Sequence, residues 1–370
     1  MSRCVAVLLV AATLAVLAGP VIAAEGRTPV FLGGTVIAAD GRYILTRNIS
    51  SVGAGIPVIT IGASKVDLDL NGFTIFGAGG AAAILIAGPV VEVRIHDGTI
   101  IDGDYGVDRP LGLPGRLVIL EDLKILDSGF AGVHLGDVEN VAIRRNTIFD
   151  PGMEGILIDP PGLFRHGEIV NNSIKRTGDD GIAVFSGAAM EISHNQIEVA
   201  GSGAIGLGTG ISLTDSVGCL LKENVISDAS DHGILLTGAS SGNKVYDNVI
   251  RHAFINGILL ISGADNNLLL NNVVTDCGFD AGGADGLLVM SSGNHIEGNT
   301  LNANSGCGLH FALTAGLNVF GRNVARGNGL VPGACPGAAL CAPLFTPDSC
   351  DEGGLNDTSL ENMIPGPPPF

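Results

Sequence analysis

A glycine followed by a short apolar strand recurs along most of the chain, and this repeat restricts the possible folds more than any other feature. Successive repeat glycines are 22 to 29 residues apart. They are Gly132, Gly155, Gly181, Gly210, Gly233, Gly257, Gly286 and Gly308. A recurring spacing of this length indicates a solenoid, in which each repeat is one unit that stacks on its neighbours.

A second part of the repeat lies between the glycines and consists of an apolar strand, an asparagine and an aliphatic residue. The asparagines are Asn146, Asn172, Asn195, Asn224, Asn248, Asn272, Asn299 and Asn323. The strands alternate with a period of two, and no segment has a sustained helical period. We predict an all-β, right-handed parallel β-helix of about 10–12 coils spaced about 4.8 Å apart, with the asparagine amides bonded along one edge.

A weaker copy of the repeat lies upstream. Residues 66–75 and 91–100 align without gaps. This alignment predicts that Asp69 stacks against Arg94 as part of a column of structural ion pairs.

The rest of the chain divides into three further segments. Residues 1–24 carry one positive charge and an apolar stretch and end in small residues, the order of a secretory signal peptide. A membrane anchor is the rival interpretation, but the apolar stretch is short. Cleavage predicts a secreted or periplasmic protein with no membrane span. Residues 25–60 are predicted to cap the first coil, residues 61–330 to form the β-helix, and residues 331–370 to form an irregular tail rich in Cys, Pro and Gly.

The charge of the chain limits its partners. The formal net charge is −18, and it becomes −19 when the signal segment is removed. Such acidity argues against nucleic acids and anionic membranes, which require a basic surface. It is compatible with Ca²⁺, with a cationic partner or with a neutral glycan, and also with simple solubility outside the cytoplasm.

Export to an oxidising compartment makes disulfide bonds expected in this chain. Cys219 falls at an apolar strand position, which predicts a buried free thiol. Disulfide bonds are expected among the remaining cysteines of the mature chain, although their pairing cannot be deduced from the sequence. These are Cys277, Cys307, Cys335, Cys341 and Cys350.

The combined pattern, over about residues 30–330, resembles exported bacterial β-helix proteins of the pectate lyase-like superfamily. Two segments resemble polygalacturonases in particular. Residues 177–184 read Thr-Gly-Asp-Asp-Gly-Ile-Ala-Val and resemble the Gly-Asp-Asp-Cys-Ile-Ala-Ile of that family, and residues 208–213 read Gly-Thr-Gly-Ile-Ser-Leu and resemble its Gly-His-Gly-Ile-Ser-Ile. The resemblance implies that Asp179 and Asp180 are an acid and base pair.

The chain departs from the polygalacturonase pattern at several positions. Thr209 stands in place of the histidine, and Gly181 in place of the cysteine. No Arg-Ile-Lys segment follows that would bind a uronate. The nearest replacements are residues 231–232 (Asp-His) and 251–252 (Arg-His).

The residues before the repeat glycines are predicted to form one column, with neighbours about 5 Å apart. Glu154, Asp179 and Asp180 would then form a cluster across two coils, with His232 about 10 Å from Asp180. Crowded carboxylates raise at least one pKa, as a general acid requires. The three carboxylates would also suit Ca²⁺, although hydrolysis requires no cofactor. The competing interpretation is that they are ordinary turn residues.

The outward-facing strand positions leave two hypotheses open. They are His134, Leu157, Ala183, Ser212, Leu235, Leu259, Leu288 and His310. One hypothesis is a β-helix that binds or processes polysaccharide, as a glycoside hydrolase or a lyase acting on an acidic glycan. The other is a non-catalytic structural or adhesive protein that binds a cell-envelope component through the aliphatic middle of this stripe.

Overall fold

The computed structural model describes residues 26–159, 166–198, 201, 208–279, 284–329 and 349–351. These residues form 36 β-strands and no helix. They build a right-handed parallel solenoid of about 11 turns, which confirms the predicted fold. The described segments contain no helix with the length and hydropathy that a bilayer crossing requires. The predicted signal segment, residues 1–24, lies outside the described residues.

One sheet, called sheet 1 here, contains 13 strands, and every pairing in it is parallel. From β12 to β33, its strands directly follow the repeat glycines. The strands are β2 (Thr35–Ile37), β5 (Ile59–Ile61), β8 (Ile84–Ile86), β10 (Val107–Arg109), β12 (Val133–Gly136), β15 (Ile156–Asp159), β18 (Ile182–Phe185), β21 (Ile211–Thr214), β24 (Ile234–Thr237), β27 (Ile258–Leu260), β30 (Leu287–Val289), β33 (Leu309–Phe311) and β36 (Ser349–Asp351).

The second sheet, called sheet 2 here, contains 23 strands. Most turns contribute two strands to it, and the long strands β9 and β11 join the two columns. The strands are β1 (Thr28–Val30), β3 (Gly41–Leu45), β4 (Ile49–Ser50), β6 (Lys65–Asp69), β7 (Thr74–Phe76), β9 (Glu92–Ile101), β11 (Gly115–Leu126), β13 (Val138–Arg144), β14 (Thr147–Phe149), β16 (His166–Val170), β17 (Ser173–Lys175), β19 (Met190–Ser193), β20 (Gln196–Glu198), β22 (Leu220–Lys222), β23 (Val225–Ser227), β25 (Lys244–Tyr246), β26 (Val249–Arg251), β28 (Leu268–Leu270), β29 (Val273–Thr275), β31 (His295–Glu297), β32 (Thr300–Asn302), β34 (Val319–Gly321) and β35 (Val324–Arg326).

Both ends of the solenoid have strands of their own. Residues 28–61, within and just after the predicted capping segment, contribute β1 to β5, which pair with strands of both sheets. At the other end, β36 pairs in parallel with β33. The rest of the predicted tail, residues 330–348 and 352–370, lies outside the described residues.

The core is a set of vertical stacks of aliphatic side chains. In sheet 1, Ile156 pairs with Ile182, Ile182 with Ile211, and Ile211 with Ile234. All four isoleucines are fully buried. The short strands alternate inward apolar residues with outward residues, and β-branched side chains pack well on a pleated surface of this kind. The period of two therefore accounts for the strands and for the direction of each side chain.

The repeat glycines mark a corner where adjacent coils approach too closely for a side chain. A Cβ atom on Gly181 would lie 2.6 Å from the carbonyl oxygen of Gly210. One on Gly155 would lie 2.5 Å from the carbonyl oxygen of Gly181. Both distances are shorter than van der Waals contact with backbone atoms that cannot move aside, so the coil spacing itself requires glycine here.

The predicted asparagine ladder is confirmed. The side-chain amide of Asn195 donates to Oδ1 of Asn224 at 3.0 Å, and that of Asn224 donates to Oδ1 of Asn248 at 2.9 Å. The residue before each ladder asparagine has a left-handed backbone, with φ of 54° at Glu223 and 56° at Asp247. In this tight turn the backbone N–H of each ladder asparagine donates to Oδ1 of the next ladder asparagine instead of to a backbone carbonyl.

A second ladder, which the sequence analysis did not identify, lies at another corner. It begins where the backbone N–H of Cys219 donates to Oδ1 of Asn243 at 2.8 Å. It includes Asn243, Asn267, Asn294 and Asn318, and a separate pair joins Asn304 to Asn328. The second ladder is shorter than the first, and cysteine precedes it in the column, so its period is weaker in the sequence.

The register of the upstream coils differs from the ungapped alignment. Arg94 pairs with Asp67 rather than Asp69, and Asp69 pairs with His96. The strands are offset by 27 residues here, whereas Thr74 pairs with Thr99, an offset of 25. The turn between the two strand columns absorbs the difference, so one alignment cannot give both registers.

The cysteines confirm one prediction and correct another. Cys219 is a buried free thiol, as predicted. Cys277 was expected to form a disulfide bond but is also a buried free thiol, because its side chain points into the core, and burial raises its pKa to about 12. Cys307 is disulfide-bonded. Cys335 and Cys341 lie outside the described residues.

We predict that Asn224→Ala lowers the free energy of unfolding by about 3 kcal/mol, because the backbone and side-chain N–H groups of Asn195 then lose their buried acceptor. Urea unfolding followed by circular dichroism measures the change. Asn140→Ala is the control, since the Asn140 amide makes one long bond, 3.3 Å to the carbonyl of Arg116. Equal stability of the two variants would contradict a stabilising role for the ladder.

Candidate active site

The residues before the repeat glycines form one column, as the sequence predicts. The carbonyl oxygen of each accepts a hydrogen bond from the repeat glycine of the preceding coil. The N–H···O distance is 2.9 Å from Gly155 to Asp180 and 2.9 Å from Gly210 to His232. The column contains Ala131, Glu154, Asp180, Thr209, His232, Asn256, Asp285 and Cys307.

A second column lies beside the first, two residues before each repeat glycine. The backbone N–H of Asp179 donates to the carbonyl oxygen of Met153 at 3.1 Å, and that of Asp231 donates to the carbonyl oxygen of Gly208 at 3.1 Å. A Cβ atom on Gly208 would lie 2.5 Å from the carbonyl oxygen of Asp179, so Asp179 and Gly208 are also neighbours. Asp179 and Asp231 are therefore two coils apart, with no side chain between them in this column.

Asp180 is the most strongly perturbed carboxylate of the cluster. Burial raises its pKa to about 7, and the charges of Asp179 and Glu154 act in the same direction. Hydrogen bonds oppose this shift: the backbone N–H of Thr209 donates to Oδ1 at 2.7 Å, and the hydroxyl of Ser212 donates to Oδ2. Both carboxylate oxygens are thus occupied, which favours a positioning role over direct contact with a substrate.

Glu154 and Asp179 lie on adjacent coils and are half-buried. Burial is the main cause that raises the pKa of each. The charge of Asp179 raises the pKa of Glu154 further, whereas His134 lowers it. The structure therefore brings Glu154, Asp179 and Asp180 together as predicted. Repulsion between their negative charges favours states in which at least one of the carboxylates is protonated.

Asp231 belongs to the same cluster. Burial raises its pKa to about 6, and the charge of Asp179 raises it further. From the sequence, Asp231 was predicted only as a replacement for a missing basic segment. The available signal was its position two residues before a repeat glycine, which it shares with Asp179.

His232, predicted to be catalytic, contacts Asp231 rather than the other carboxylates. Burial lowers the pKa of His232 to about 4, so its ring is neutral at pH 7. Nδ1 accepts the backbone N–H of Asn256 at 3.2 Å, which leaves the proton on Nε2. Nε2 lies 3.3 Å from Oδ1 of Asp231. This geometry suits a residue that orients Asp231.

Among the residues that the structure describes, no lysine or arginine neutralises this cluster. The charges that shift the pKa values of Glu154, Asp180 and Asp231 come from other carboxylates and from His134, and none comes from lysine or arginine, whereas burial alone raises the pKa of Asp179. Across the described residues, none of these four carboxylates forms a salt bridge to lysine or arginine. Glu121, by contrast, is paired with Arg94 and Arg145.

The groups of side chains whose metal-ligand atoms lie close together do not include the predicted Ca²⁺ ligands Glu154, Asp179 and Asp180. Among the described residues, two groups have donor atoms within 4.8 Å of one another: Asp285, Cys307 and His310, and Asp69, His96 and Asp97. In the first group the sulfur belongs to a disulfide bond, and the Asp285 carboxylate accepts hydrogen bonds from Cys307 N–H and pairs with His310. In the second, Asp69 forms an ion pair with Arg27.

The aliphatic stripe predicted on the outer face of sheet 1 is not an open surface. Leu259 is only 6% exposed. Leu157, Leu235 and Leu288 are half-buried. The stripe therefore offers a protein partner less apolar area than the sequence indicated.

Comparison with known proteins agrees with this fold. Residues 113–274 match the family described as right handed beta helix region. The A-module of the mannuronan C-5 epimerase AlgE6 from Azotobacter vinelandii is similar, with a TM-score of 0.50 and 15% identity over 88% of this chain and 92% of that one. The matched segment is less than half of the chain, and the described residues as a whole have the same right-handed parallel β-helix fold.

Two further solved structures are similar over most of the chain. The catalytic unit of a thermostable GH87 α-1,3-glucanase from Streptomyces thermodiastaticus has a TM-score of 0.47 and 16% identity over 80% of this chain and 63% of its own. DFA-IIIase from Arthrobacter chlorophenolicus without its lid has a TM-score of 0.46 and 15% identity, covering 94% and 92%. No curated protein sequence matches the chain significantly.

We predict that Asp180→Asn flattens the pH dependence of stability between about pH 4 and 7. Asp180 has a raised pKa when folded, so the folded protein binds more protons than the unfolded chain in this window, and stability falls as the pH rises. His232 has a lowered pKa and gives the opposite slope, so the difference between variant and wild type isolates Asp180. Urea unfolding of Asp180→Asn and of the wild type at pH 4.5 and 7.5 measures this difference in the free energy of unfolding.

The isosteric asparagine can still accept the hydrogen bond from Thr209, which limits structural disturbance. We expect the stability of Asp180→Asn relative to wild type to increase from the lower pH to the higher one. Glu139→Gln, at an exposed carboxylate outside the cluster, serves as the control and should show no such trend. A difference between Asp180→Asn and wild type that is the same at both pH values would show that Asp180 does not titrate in this window.

Proposed function

We propose that this protein binds a polysaccharide and cleaves it at the cluster of Glu154, Asp179, Asp180 and Asp231. The observation that carries the proposal is the cluster itself: four carboxylates with raised pKa values and no lysine or arginine among the charges that shift them. Turn residues that serve only structure have no need of such an arrangement, which costs stability at neutral pH. The fold likeness to a mannuronan C-5 epimerase supports a glycan as substrate, but the activity is argued from the site.

The geometry favours Asp231 as the general acid. Its pKa of about 6 leaves a substantial protonated fraction in mildly acidic solution, and its side chain is partly accessible. Neutral His232 holds one of its carboxylate oxygens. Asp231 would donate its proton to the glycosidic oxygen as the bond from that oxygen to the anomeric carbon breaks.

Asp179 is suited to act as the general base. It lies in the same column as Asp231, about 10 Å away between backbones, since two coil spacings separate them. Gly208, which lies between them in this column, has no side chain, and the backbone of Gly201 lies against it. Inverting glycosidases separate their carboxyl groups by about 6.5–9.5 Å to admit a water molecule. Asp179 would take a proton from that water as its oxygen bonds to the anomeric carbon, which gives hydrolysis with inversion.

The charge of the site favours a neutral glycan over the acidic glycan included in the sequence hypothesis. A uronate would bring its own carboxylate into a cluster that already lacks positive neighbours, and like charges at close range are costly. Secretion or periplasmic export, which residues 1–24 predict, would bring the protein to such polymers. Hydrolysis by two carboxylates requires no metal ion or cofactor.

We predict that Asp231→Asn and Asp179→Asn each reduce kcat/KM for polysaccharide cleavage by at least about 100-fold, because each removes a group that transfers a proton. Release of reducing ends from a panel of neutral and acidic polysaccharides, with and without Ca²⁺, measures the activity. Glu139→Gln is the matched control, since this exposed carboxylate lies outside the cluster, and it should retain wild-type activity.

The stereochemistry of the product provides a second check. Proton NMR during the first minutes of the reaction should show the inverted anomer. Retention of configuration would overturn the roles assigned to Asp179 and Asp231. Unchanged activity in both asparagine variants, on every glycan that the wild type degrades, would overturn the proposed site altogether.

A further inference from the structure

We propose that Tyr105 and Phe130 form a subsite that stacks against a sugar ring of a neutral oligosaccharide, on the N-terminal side of the carboxylate cluster. This inference rests on the proposed function, because it assigns the substrate's position at the same site. It also requires that the substrate be an oligosaccharide rather than a monosaccharide.

The two aromatic rings lie together because their coils are adjacent. The backbone N–H of Phe130 donates to the carbonyl of Asp104 at 2.6 Å, and Gly106 donates to Ala131 at 3.3 Å. The ring centroids of Tyr105 and Phe130 are 5.7 Å apart, with their planes 31° from parallel. They therefore form one gently folded aromatic surface at the edge of sheet 1.

A third ring extends this surface. The ring centroid of His134 is 5.4 Å from that of Tyr105, with an angle of 33° between the planes. His134 occupies the outward position of β12, and Asp108 occupies the position paired with it on β10. Nδ1 of His134 lies 2.8 Å from Oδ1 of Asp108, which fixes the imidazole. Tyr105, Phe130 and His134 are called the aromatic plate below.

The aromatic plate is accessible to a ligand. Phe130 is 44% exposed, and Tyr105 is half-buried. Aromatic residues make up only 4% of the chain, and tryptophan is absent. A solvent-facing pair of aromatic rings beside a carboxylate cluster is therefore not expected from composition. Amphipathic aromatic surfaces with adjacent polar groups are typical of sites that bind ligands with apolar faces and hydroxyl edges.

The plate borders the carboxylate cluster. Burial raises the pKa of the Tyr105 hydroxyl, and the charges of Asp108, Glu154 and Asp104 raise it further, which places the hydroxyl in the field of Glu154. In the column two residues before the repeat glycines, Phe130 and Asp179 are separated by Met153. The backbones of Phe130 and Asp179 are thus about 10 Å apart.

This separation sets the substrate class. A ring stacked on the plate and a glycosidic bond between Asp179 and Asp231 lie on different coils. A monosaccharide cannot contact both the aromatic plate and the carboxylates of Asp179 and Asp231, whereas an oligosaccharide that runs along the solenoid axis can. The polar groups around the plate, which include the hydroxyl of Tyr105 and the carboxylate of Asp108, are suited to hydrogen bonds with sugar hydroxyls.

Calorimetry with purified full-length protein tests the subsite without requiring turnover. The probes are cellohexaose, laminarihexaose and mannohexaose, with hexagalacturonate as the acidic comparison. For the neutral hexasaccharide that binds best, Tyr105→Ala and Phe130→Ala should each raise Kd about tenfold. Tyr105→Phe should recover most of the affinity, because it keeps the ring. Phe76→Ala removes an exposed aromatic ring of sheet 2 and should leave Kd unchanged.

The outcomes separate this subsite from the proposed catalysis. Affinity that depends on both rings, with no cleavage of any glycan, would support the subsite and refute the cleavage. Cleavage that depends on Asp231, with affinity indifferent to Tyr105 and Phe130, would refute the subsite and support the cleavage. The subsite is also overturned if no neutral hexasaccharide binds saturably.

Discussion

Close stacking of coils is the constraint on which the rest of this structure depends. Every strand pairs with its copy in the next turn, so residues one repeat apart in the chain become vertical neighbours. The same spacing excludes a Cβ atom at the repeat glycines and brings buried asparagine amides within hydrogen-bonding distance. A change of one position along the chain would move a side chain from the core to the surface, which makes the register strict.

The stacking that stabilises the core also creates the candidate site. Carboxylates from different coils are held at fixed separations along one edge, and no lysine or arginine in the described part of the chain relieves the repulsion between them. Buried isoleucine stacks and amide ladders stabilise the backbone beneath them. The site can therefore retain unfavourable electrostatics that a less constrained turn would relax, and this is the usual relation between a rigid scaffold and a perturbed pKa.

The sequence predicted different parts of the site with different success. Glu154, Asp179 and Asp180 could be placed together because repeat spacing alone defines the two adjacent columns in which they lie. His232 was placed in the right column, but its contact with Asp231 depends on how the ring is oriented by Asn256. Tyr105 and Phe130 were not predicted because Tyr105 lies upstream of the eight repeat glycines and because the contact between the two rings depends on side-chain direction in the turns. The weak repeat of the upstream coils led to the incorrect pairing of Asp69 with Arg94.

The sequence by itself determined the solenoid, the glycine corner and the first asparagine ladder, because each follows from a period that can be read along the chain. It also indicated that Cys219 is buried, although Cys219 lies directly before β22 rather than within a strand. Only the tertiary structure decided which carboxylates interact, which of them lack a positive partner and which aromatic rings meet. These properties depend on the direction of side chains in the turns and on turn lengths that vary between coils, and the period of two within the strands encodes neither.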